Sequence, residues 1–437
     1  MMTSTVNSRW LVLEILLKIT KDGEYSHIVL KEVLDQYQYL DKKERAFITR
    51  AVNGTLERMI EIDYIINQFS KVKVNKMKPV IRTILRSGVY QLKYMDSVPA
   101  SAVCNEAVKL AVKKGFVNLK GFVNGVLRSI SKNIESITYP SKDDVIQYLS
   151  VRYSLPEWMV EQWISEYGLE LTEQMGAAFL EEKPTTIRCN LSLVSREELL
   201  KELKEEEVTV AERPELPYAF AISGYDYVAK LGSFQSGHFY IQDISSMQVA
   251  EWANPKKGDY IIDVCAAPGG KAIHLAEKLA GTGAVIARDL TDYKVSLIRE
   301  NIDRSRLTNI EAVRWDAAEY DEAAKEQADI VIADLPCSGL GVLGRKTDLK
   351  YKMTPKQQEE LVKLQRSILA VVHAYVKPGG RLLYSTCTIH KGENEENTRW
   401  FLAEHPEFVL MKEQQMFPGK DQGDGFYIAM FERKKEV

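Results

Sequence analysis

The hydrophobic period of this 437-residue chain changes twice, which predicts three structural parts in series. Up to about residue 135, apolar side chains recur at helical spacing and Pro and Gly are scarce, so the front part reads as all-α. From Thr185, short β-rich runs surround one charged helix, the outline of a small α+β module. From residue 258, apolar strands alternate with helical stretches, the pattern of a Rossmann-like, doubly wound α/β domain with a mostly parallel sheet. We place the three parts at residues 1–140, 141–235 and 236–437.

Within the front part, Trp10 to Ile19 is strongly apolar, and Ile81, Ile84, Leu85, Val89 and Leu92 repeat on one helix face. Pro79, Pro99 and Gly115 mark helix ends, and short joints between contiguous helices fit a bundle. Residues 1–140 hold 22 Lys+Arg against 13 Asp+Glu, a balance of +9, while the remainder carries −12. A polyanionic partner explains this bias, and so does a lysine-rich solvated surface. Asp41-Lys-Lys-Glu-Arg-Ala-Phe47, Val52-Asn-Gly-Thr-Leu56, Gly88-Val-Tyr-Gln-Leu92, Pro99-Ala-Ser101, Asn105-Glu-Ala-Val108 and Gly121-Phe-Val-Asn-Gly-Val-Leu-Arg128 together resemble the NusB-type RNA-binding helical domain. The resemblance spans roughly residues 5–135 and implies contact with RNA.

Tyr139-Pro140-Ser141 and Leu155-Pro156 break the pattern, and residues 150–183 read as helical again. Thr186–Leu191 reads as a strand, Ser195–Glu207 as a capped helix, and Val208–Ala211 and Ala219–Ile222 as strands. An RRM-like platform has this layout, but the aromatic signature for stacking bases is absent, and a structural spacer accounts for it equally. Farther on, Tyr260–Val264, Ala284–Ala287, Ile310–Val313, Ile330–Ala333 and Arg381–Tyr384 are the strands of the α/β domain.

Composition excludes several classes. No run of ~18 apolar residues spans a bilayer, and the polar start, Met1 to Trp10, has no signal-peptide core. The five cysteines, at 104, 189, 265, 337 and 387, form no C-x-x-C pair and no even disulfide framework. The expectation is a cytoplasmic monomer with reduced thiols, no membrane partner and no metal.

The first α/β strand runs into Asp263-Val-Cys-Ala-Ala-Pro-Gly-Gly-Lys271 at a helix start, where a Gly-rich turn lets the backbone approach a ligand. Asp289 ends the second strand, suited to a ribose diol, and Asp316 follows the third, within reach of an adenine edge or acting as a helix cap. A dinucleotide is the natural competitor, but the turn is not G-x-G-x-x-G and offers no pyrophosphate cradle. The nonapeptide with both acids in register points to S-adenosylmethionine, held by Asp263, Cys265, Ala266, Ala267, Pro268, Gly269, Gly270, Lys271, Asp289, Asp316 and Asp334.

Strand four ends in Asp334-Leu-Pro-Cys-Ser-Gly339 and strand five in Tyr384-Ser-Thr-Cys-Thr-Ile389. In the expected order these ends are neighbours, so Cys337 and Cys387 face one cleft. Carbon 5 of cytosine becomes nucleophilic only after a thiolate adds to C6, which calls for a cysteine. Asp334 is positioned as the acid at N3, protonated or sharing a proton. Amino methyltransferases instead carry an acidic-Pro-Pro-aromatic loop, and here Cys337 follows Pro336.

These motifs closely resemble the RNA cytosine-5 methyltransferases of the Nol1/Nop2/Sun type, over nearly the whole chain. The resemblance implies that Cys387 is the nucleophile, that Cys337 assists release, and that Lys271 belongs to the active site rather than merely capping a helix. Gln242-Asp-Ile-Ser-Ser246, Arg188-Cys-Asn190 and Asp424-Gly-Phe426 match further family elements, whereas Lys346-Thr-Asp348 departs from the usual Pro before Asp in an expected substrate loop. With the NusB-like front end, the resemblance implies 16S rRNA as partner and the cytosine conventionally numbered 967. Another rRNA or tRNA cytosine, or a non-catalytic RNA-binding factor with a degenerate enzyme domain, are the rival readings. Intact Asp263, Asp289, Asp334, Cys337 and Cys387 argue against the last. Cys104 and Cys189 read as core residues, and His274 and His390 as surface or packing residues.

Overall fold

In a computed structural model that describes residues 7–435, the apolar run at Trp10 becomes helix Ser8–Thr20, capped by Asn7, whose side chain accepts the Trp10 amide. Residues 1–6, the beginning of the stretch read as lacking a signal peptide, lie outside the described residues. Two units form, Met1–Glu181 with Leu343–Lys352, and Glu182–Val342 with Met353–Val437.

In the first unit, helices Ser26–Gln36, Lys42–Glu57, Met59–Phe69, Pro79–Tyr94, Ala100–Lys113 and Lys120–Lys132 share one apolar core with Ser8–Thr20. This is the NusB-type bundle. Two motif glycines are close-approach points: a Cβ on Gly54 would lie 2.0 Å from Tyr90 Cζ, and one on Gly88 would lie 2.9 Å from Leu127 Cδ2. Buried Glu61 accepts the hydroxyls of Tyr94 (2.5 Å) and Tyr139 (2.7 Å), with Arg58 and Lys93 within 3.7 Å. Burial foremost, with Glu61 next to them, pushes both phenols up. Val74 and Met77 anchor a turn on which Lys71, Lys73, Lys76 and Lys78 are all exposed. Helices Val145–Tyr153, Glu157–Tyr167 and Leu169–Phe179 complete the contiguous stretch.

Leu343–Lys352 belongs to this first unit, and with it the Lys346-Thr-Asp348 segment. Asp348 accepts the amide (3.1 Å) and hydroxyl (2.5 Å) of Ser26, at the start of helix Ser26–Gln36, where an anion is favoured. The Tyr351 hydroxyl donates to Leu56 O, and the Lys350 ammonium to Glu57 O at 2.8 Å. Burial lowers the pKa of Lys350 to about 7.

The second unit has two sheets. Strands β1 (Thr185–Cys189), β2 (Thr209–Glu212), β3 (Ala219–Ser223) and β4 (Phe239–Ile241) form an antiparallel sheet in the order β2-β3-β1-β4. Helix Arg196–Glu205 packs with it behind a Ser195/Glu198 capping box. This is a ferredoxin-like module, and β4 lies past residue 235, where the sequence reading opened the third part. Strands β5 (Tyr260–Asp263), β6 (Ala284–Asp289), β7 (Ile310–Arg314), β8 (Ala328–Asp334), β9 (Val376–Thr386), β10 (Phe408–Met416) and β11 (Phe426–Arg433) form the Rossmann-like sheet in the order β10-β11-β9-β8-β5-β6-β7. The five strands β5 to β9 are mutually parallel, while β11 runs antiparallel to β9 and to β10. Winding reverses direction at β5, so the crevice beyond the carboxyl ends of β5 and β8 is the topological switch point.

Candidate active site

At that crevice β5 ends in Asp263, and the chain turns into helix Gly270–Lys278. Gly269 caps the helix at φ +108° and brings no side chain to its first amides. Such an open N-terminus suits an anionic ligand group. The turn is held by Ala266 N–H donating to Arg288 O (2.8 Å) and Ala267 N–H to Asp289 Oδ2 (3.0 Å). A Cβ on Gly270 would meet nothing nearer than the Gln242 amide at 3.8 Å, so a ligand has room beside this backbone.

Asp263 is 1% exposed, and neither carboxylate oxygen accepts a hydrogen bond of ordinary geometry. Burial first, then Asp334, raises its pKa to about 8, and the Cys265 amide offsets this only weakly. An orphaned buried carboxylate is a natural partner for a cationic donor. The ammonium and carboxylate of the methionine end of S-adenosylmethionine fit Asp263 and the adjacent helix end. Asp289 is also buried, accepting Leu290 N–H (2.8 Å) and pairing with Lys294 (3.0 Å). Ala267 N–H, Leu290 N–H and Lys294 take three of its four lone-pair sites, which leaves one for a ribose hydroxyl and a second once the exposed Lys294 side chain swings away. Asp316 uses Oδ1 on Ala318 N–H at 2.9 Å, which is the local capping role. Burial and then Asp263 push the Cys265 thiol up, so it keeps its proton.

The neighbouring ends of β8 and β9 bring the two cysteines together, with Cys337 Sγ 3.3 Å from Cys387 Sγ. None of the five cysteines is in a disulfide. The hydrogen bond to Cys387, followed by burial, holds the Cys337 pKa well above its ordinary value. The geometry lets either sulfur donate, and a Cys337 that keeps its proton can serve as the S–H donor of the pair. Asp334 accepts from Lys271 Nζ (2.6 Å) and Ser385 Oγ (2.7 Å). Burial works against the Lys271 charge, but Asp334, Asp263 and Cys387 outweigh it and raise the lysine's pKa. The Phe426 ring of the Asp424-Gly-Phe426 motif lies 5.3 Å from the same ammonium. The crevice thus joins a thiol pair to an ammonium–carboxylate pair.

The sequence reading missed what fixes the two cysteine loops. Glu393 is fully buried and accepts Ser338 N–H (2.9 Å), Ser338 Oγ (2.5 Å) and Gln365 Nε2 (3.0 Å). Ser338 Oγ also bonds Thr388 Oγ1 (2.6 Å), and Gly341 N–H donates to Cys387 O (3.1 Å). Glu393 stands six residues past Cys387, beside His390, whose Nδ1 lies 3.2 Å from its carboxylate. An acid so soon after the strand-five motif was the available signal. Elsewhere the matched motifs are keystones. Fully buried Arg188 donates to Gln242 (2.7 Å) and to Glu277, and Asp243 accepts Ser245 N–H and Asp424 N–H (both 3.0 Å). His274 packs edge-on against Tyr218, and Cys104 and Cys189 are buried in their cores.

Three family profiles match: the NusB family over residues 6–132, a ferredoxin-like domain of RsmF/B-like methyltransferases over 155–227, and 16S rRNA methyltransferase RsmB/F over 250–432. The chain is 38% identical to the probable ribosomal RNA small subunit methyltransferase B of Bacillus subtilis (strain 168), covering 98% of each. It is 33% identical to the Synechocystis protein of the same description, covering 97% of this chain and 99% of that one. Among solved structures, that of PH0851 superposes with a TM-score of 0.83 at 25% identity, over 98% of this chain and 99% of that one. NSun6 from Pyrococcus horikoshii with SFG superposes with a TM-score of 0.59 at 25% identity, over 64% of this chain and 99% of that one.

Proposed function

This chain belongs to the ribosomal RNA small subunit methyltransferase B family, and from that premise we propose that it methylates C5 of a cytosine in 16S rRNA, the one numbered 967, through a covalent Cys387–C6 adduct. The observation that carries the reading is the 3.3 Å thiol pair beside the Lys271–Asp334 pair. A methyltransferase acting on an exocyclic nitrogen, whose lone pair already reacts, needs no such nucleophile. S-adenosylmethionine supplies the electrophilic methyl group when bound.

Cys387, 3.3 Å from the Cys337 sulfur and close to the Lys271 ammonium, adds to C6 as the thiolate. The Lys271–Asp334 pair meets the N3 edge, where negative charge develops, and shares a proton with it. Asp263 and the Gly269–Gly270 turn would hold the methionine end of the cofactor, Asp289 its ribose, and Asp316, through the oxygen not engaged by Ala318 N–H, its adenine. Once Cys387 is bonded to carbon, Cys337 loses the hydrogen bond that keeps its pKa high. It can then ionise, take the C5 proton and let the C6–S bond break. A 16S rRNA substrate would place this work in the cytoplasm; no helix of the described residues is long and apolar enough to cross a membrane.

Target RNA, S-adenosylmethionine and a denaturing gel test the two roles. Cys337→Ala is expected to attack but stall, leaving a protein–RNA conjugate, whereas Cys387→Ala should form none and transfer no methyl. A conjugate with Cys387→Ala, or none with a folded Cys337→Ala, overturns the assignment. Bisulfite sequencing of 16S rRNA from a deletion strain reads which cytosine loses its protection.

A further inference from the structure

At the sheet edge opposite the two cysteines, three potential metal ligands converge. His373 ends the helix Pro355–Val372 and leads into β9, His405 follows helix Glu395–Glu404, and Glu407 immediately precedes β10. Glu407 Oε1 lies 3.5 Å from His405 Nδ1 and 3.9 Å from His373 Nε2, and the three ligand atoms fall within 4.8 Å of one another. In a tetrahedral site with bonds of about 2.0–2.2 Å, ligand atoms stand roughly 3.3–3.6 Å apart. Against spacings of 3.5, 3.9 and at most 4.8 Å, closing the set takes shifts of up to about 1.5 Å.

The two imidazoles stack, with ring centroids 3.9 Å apart and 37° between their planes, so an ion would draw the rings apart as it drew their nitrogens together. His373 Nδ1 is 3.3 Å from Leu369 O, so a proton held there leaves the Nε2 lone pair toward Glu407. His405 is wedged against Phe401 and Trp400, with ring centroids at 4.8 and 6.3 Å. Its buried Nε2 has no hydrogen-bond partner, so no bond from that nitrogen explains the ring's pose. Arg433, beside His373, donates to Val376 O and Glu326, both at 2.6 Å, and not to Glu407.

We propose that His373, His405 and Glu407 bind a first-row divalent cation, zinc being the best match to two imidazoles and one carboxylate with a fourth position open to water. The ion ties the helix–strand junction before β9 to the one before β10. It lies at the amino end of the strand whose carboxyl end carries Cys387, so its role is structural. The expectation of no metal rested on Cys spacing, and these ligands, 32 and 2 residues apart, contain no Cys. The site stands whether or not the methylation chemistry is as proposed above.

The test uses the full chain freed of metal by chelation, titrated with Co²⁺ and then with Zn²⁺. One equivalent of Co²⁺ should bind with nitrogen/oxygen-type absorption and be displaced by Zn²⁺, and zinc should raise the melting temperature. Glu407→Gln, which keeps side-chain size, and His405→Gln should each weaken binding at least roughly tenfold. No binding by the wild-type chain overturns the proposal. So do unchanged affinities in both variants, or thiolate-to-cobalt charge transfer as the sole signal, which would put the ion on Cys337 and Cys387. The wild-type titration decides even if a variant fails to fold.

Discussion

Replacing Asp263 by Asn separates what this buried carboxylate costs the fold from what it does for a ligand. Its pKa in the folded chain is about 8, against an ordinary 3.8. Below pH 4 the folded and unfolded states are both protonated. Between pH 4 and 8 the folded state retains a proton that the unfolded state has released. The contribution of Asp263 to wild-type stability therefore falls as pH rises through this window and levels off above 8. Four units at about 1.4 kcal/mol each set an upper limit of roughly 6 kcal/mol. The Asn amide in the same pocket is unsatisfied too, at a cost of about 1–3 kcal/mol. The variant should thus be more stable than wild type by roughly 3 kcal/mol at pH 9, a rise of about 6–12 °C in melting temperature for a unit of this size. At pH 4.5 the advantage should vanish or reverse. Scanning fluorimetry of cofactor-free protein from pH 4.5 to 9 measures the gap. A gap that does not widen with pH, or a variant less stable at pH 9, refutes the reasoning. In calorimetry the same variant should bind S-adenosylmethionine about ten- to a hundredfold more weakly, having lost a charge-assisted hydrogen bond.

Asp289→Ala removes the acceptor of Ala267 N–H along with the proposed ribose ligand, so calorimetry should show S-adenosylmethionine affinity down about ten- to a hundredfold in a folded protein; unchanged affinity would reject the ribose role. Gly54→Ala drives a methyl group into the Tyr90 ring, and overpacking of this kind should cost about 1–3 kcal/mol, visible as an earlier helical transition by circular dichroism. Changing Lys71, Lys73, Lys76 and Lys78 together to Gln should flatten the salt dependence of RNA binding by roughly 0.7 in log–log slope for each phosphate no longer neutralised. An unaltered slope would make this exposed turn a solvated surface only.

What could be read from the sequence tracks how local each signal is. β5, β6, β8 and β9 are buried apolar runs, and Asp263, Asp289 and Asp334 sit at strand ends, so strand position alone located three of the acids. The two cysteines were placed in one cleft by strand order, and the structure pairs β8 with β9. β10 went unread because most of it is exposed and Lys412-Glu-Gln-Gln415 carries no alternation, its place being set by pairing with β11. β4 is three residues long and gains its identity only beside β1. Glu393 reads as one more surface acid until Ser338, Gln365 and Thr388 close around it, 28 to 55 residues away for the two that donate to it directly. Asp348 likewise shows its partner only in three dimensions, 322 positions away at Ser26.

That last pairing bears on the order in which the protein can be made. The helical unit takes Leu343–Lys352 as one of its own pieces, yet its contiguous part ends at Glu181. On the ribosome, roughly 160 further residues must emerge before Asp348 can reach the Ser26 amide and Lys350 the Glu57 carbonyl. At about 5–20 residues per second, that is a wait on the order of 10–30 s. Throughout it the helix Ser26–Gln36 has no carboxylate at its start, and the nascent bundle stays unfinished. A fragment cut at Glu181 keeps that unfinished state permanently. The natural seam for dissecting this protein is therefore not a single break in the chain, and expression trials should judge the amino-terminal fragment with the 343–352 peptide supplied in trans.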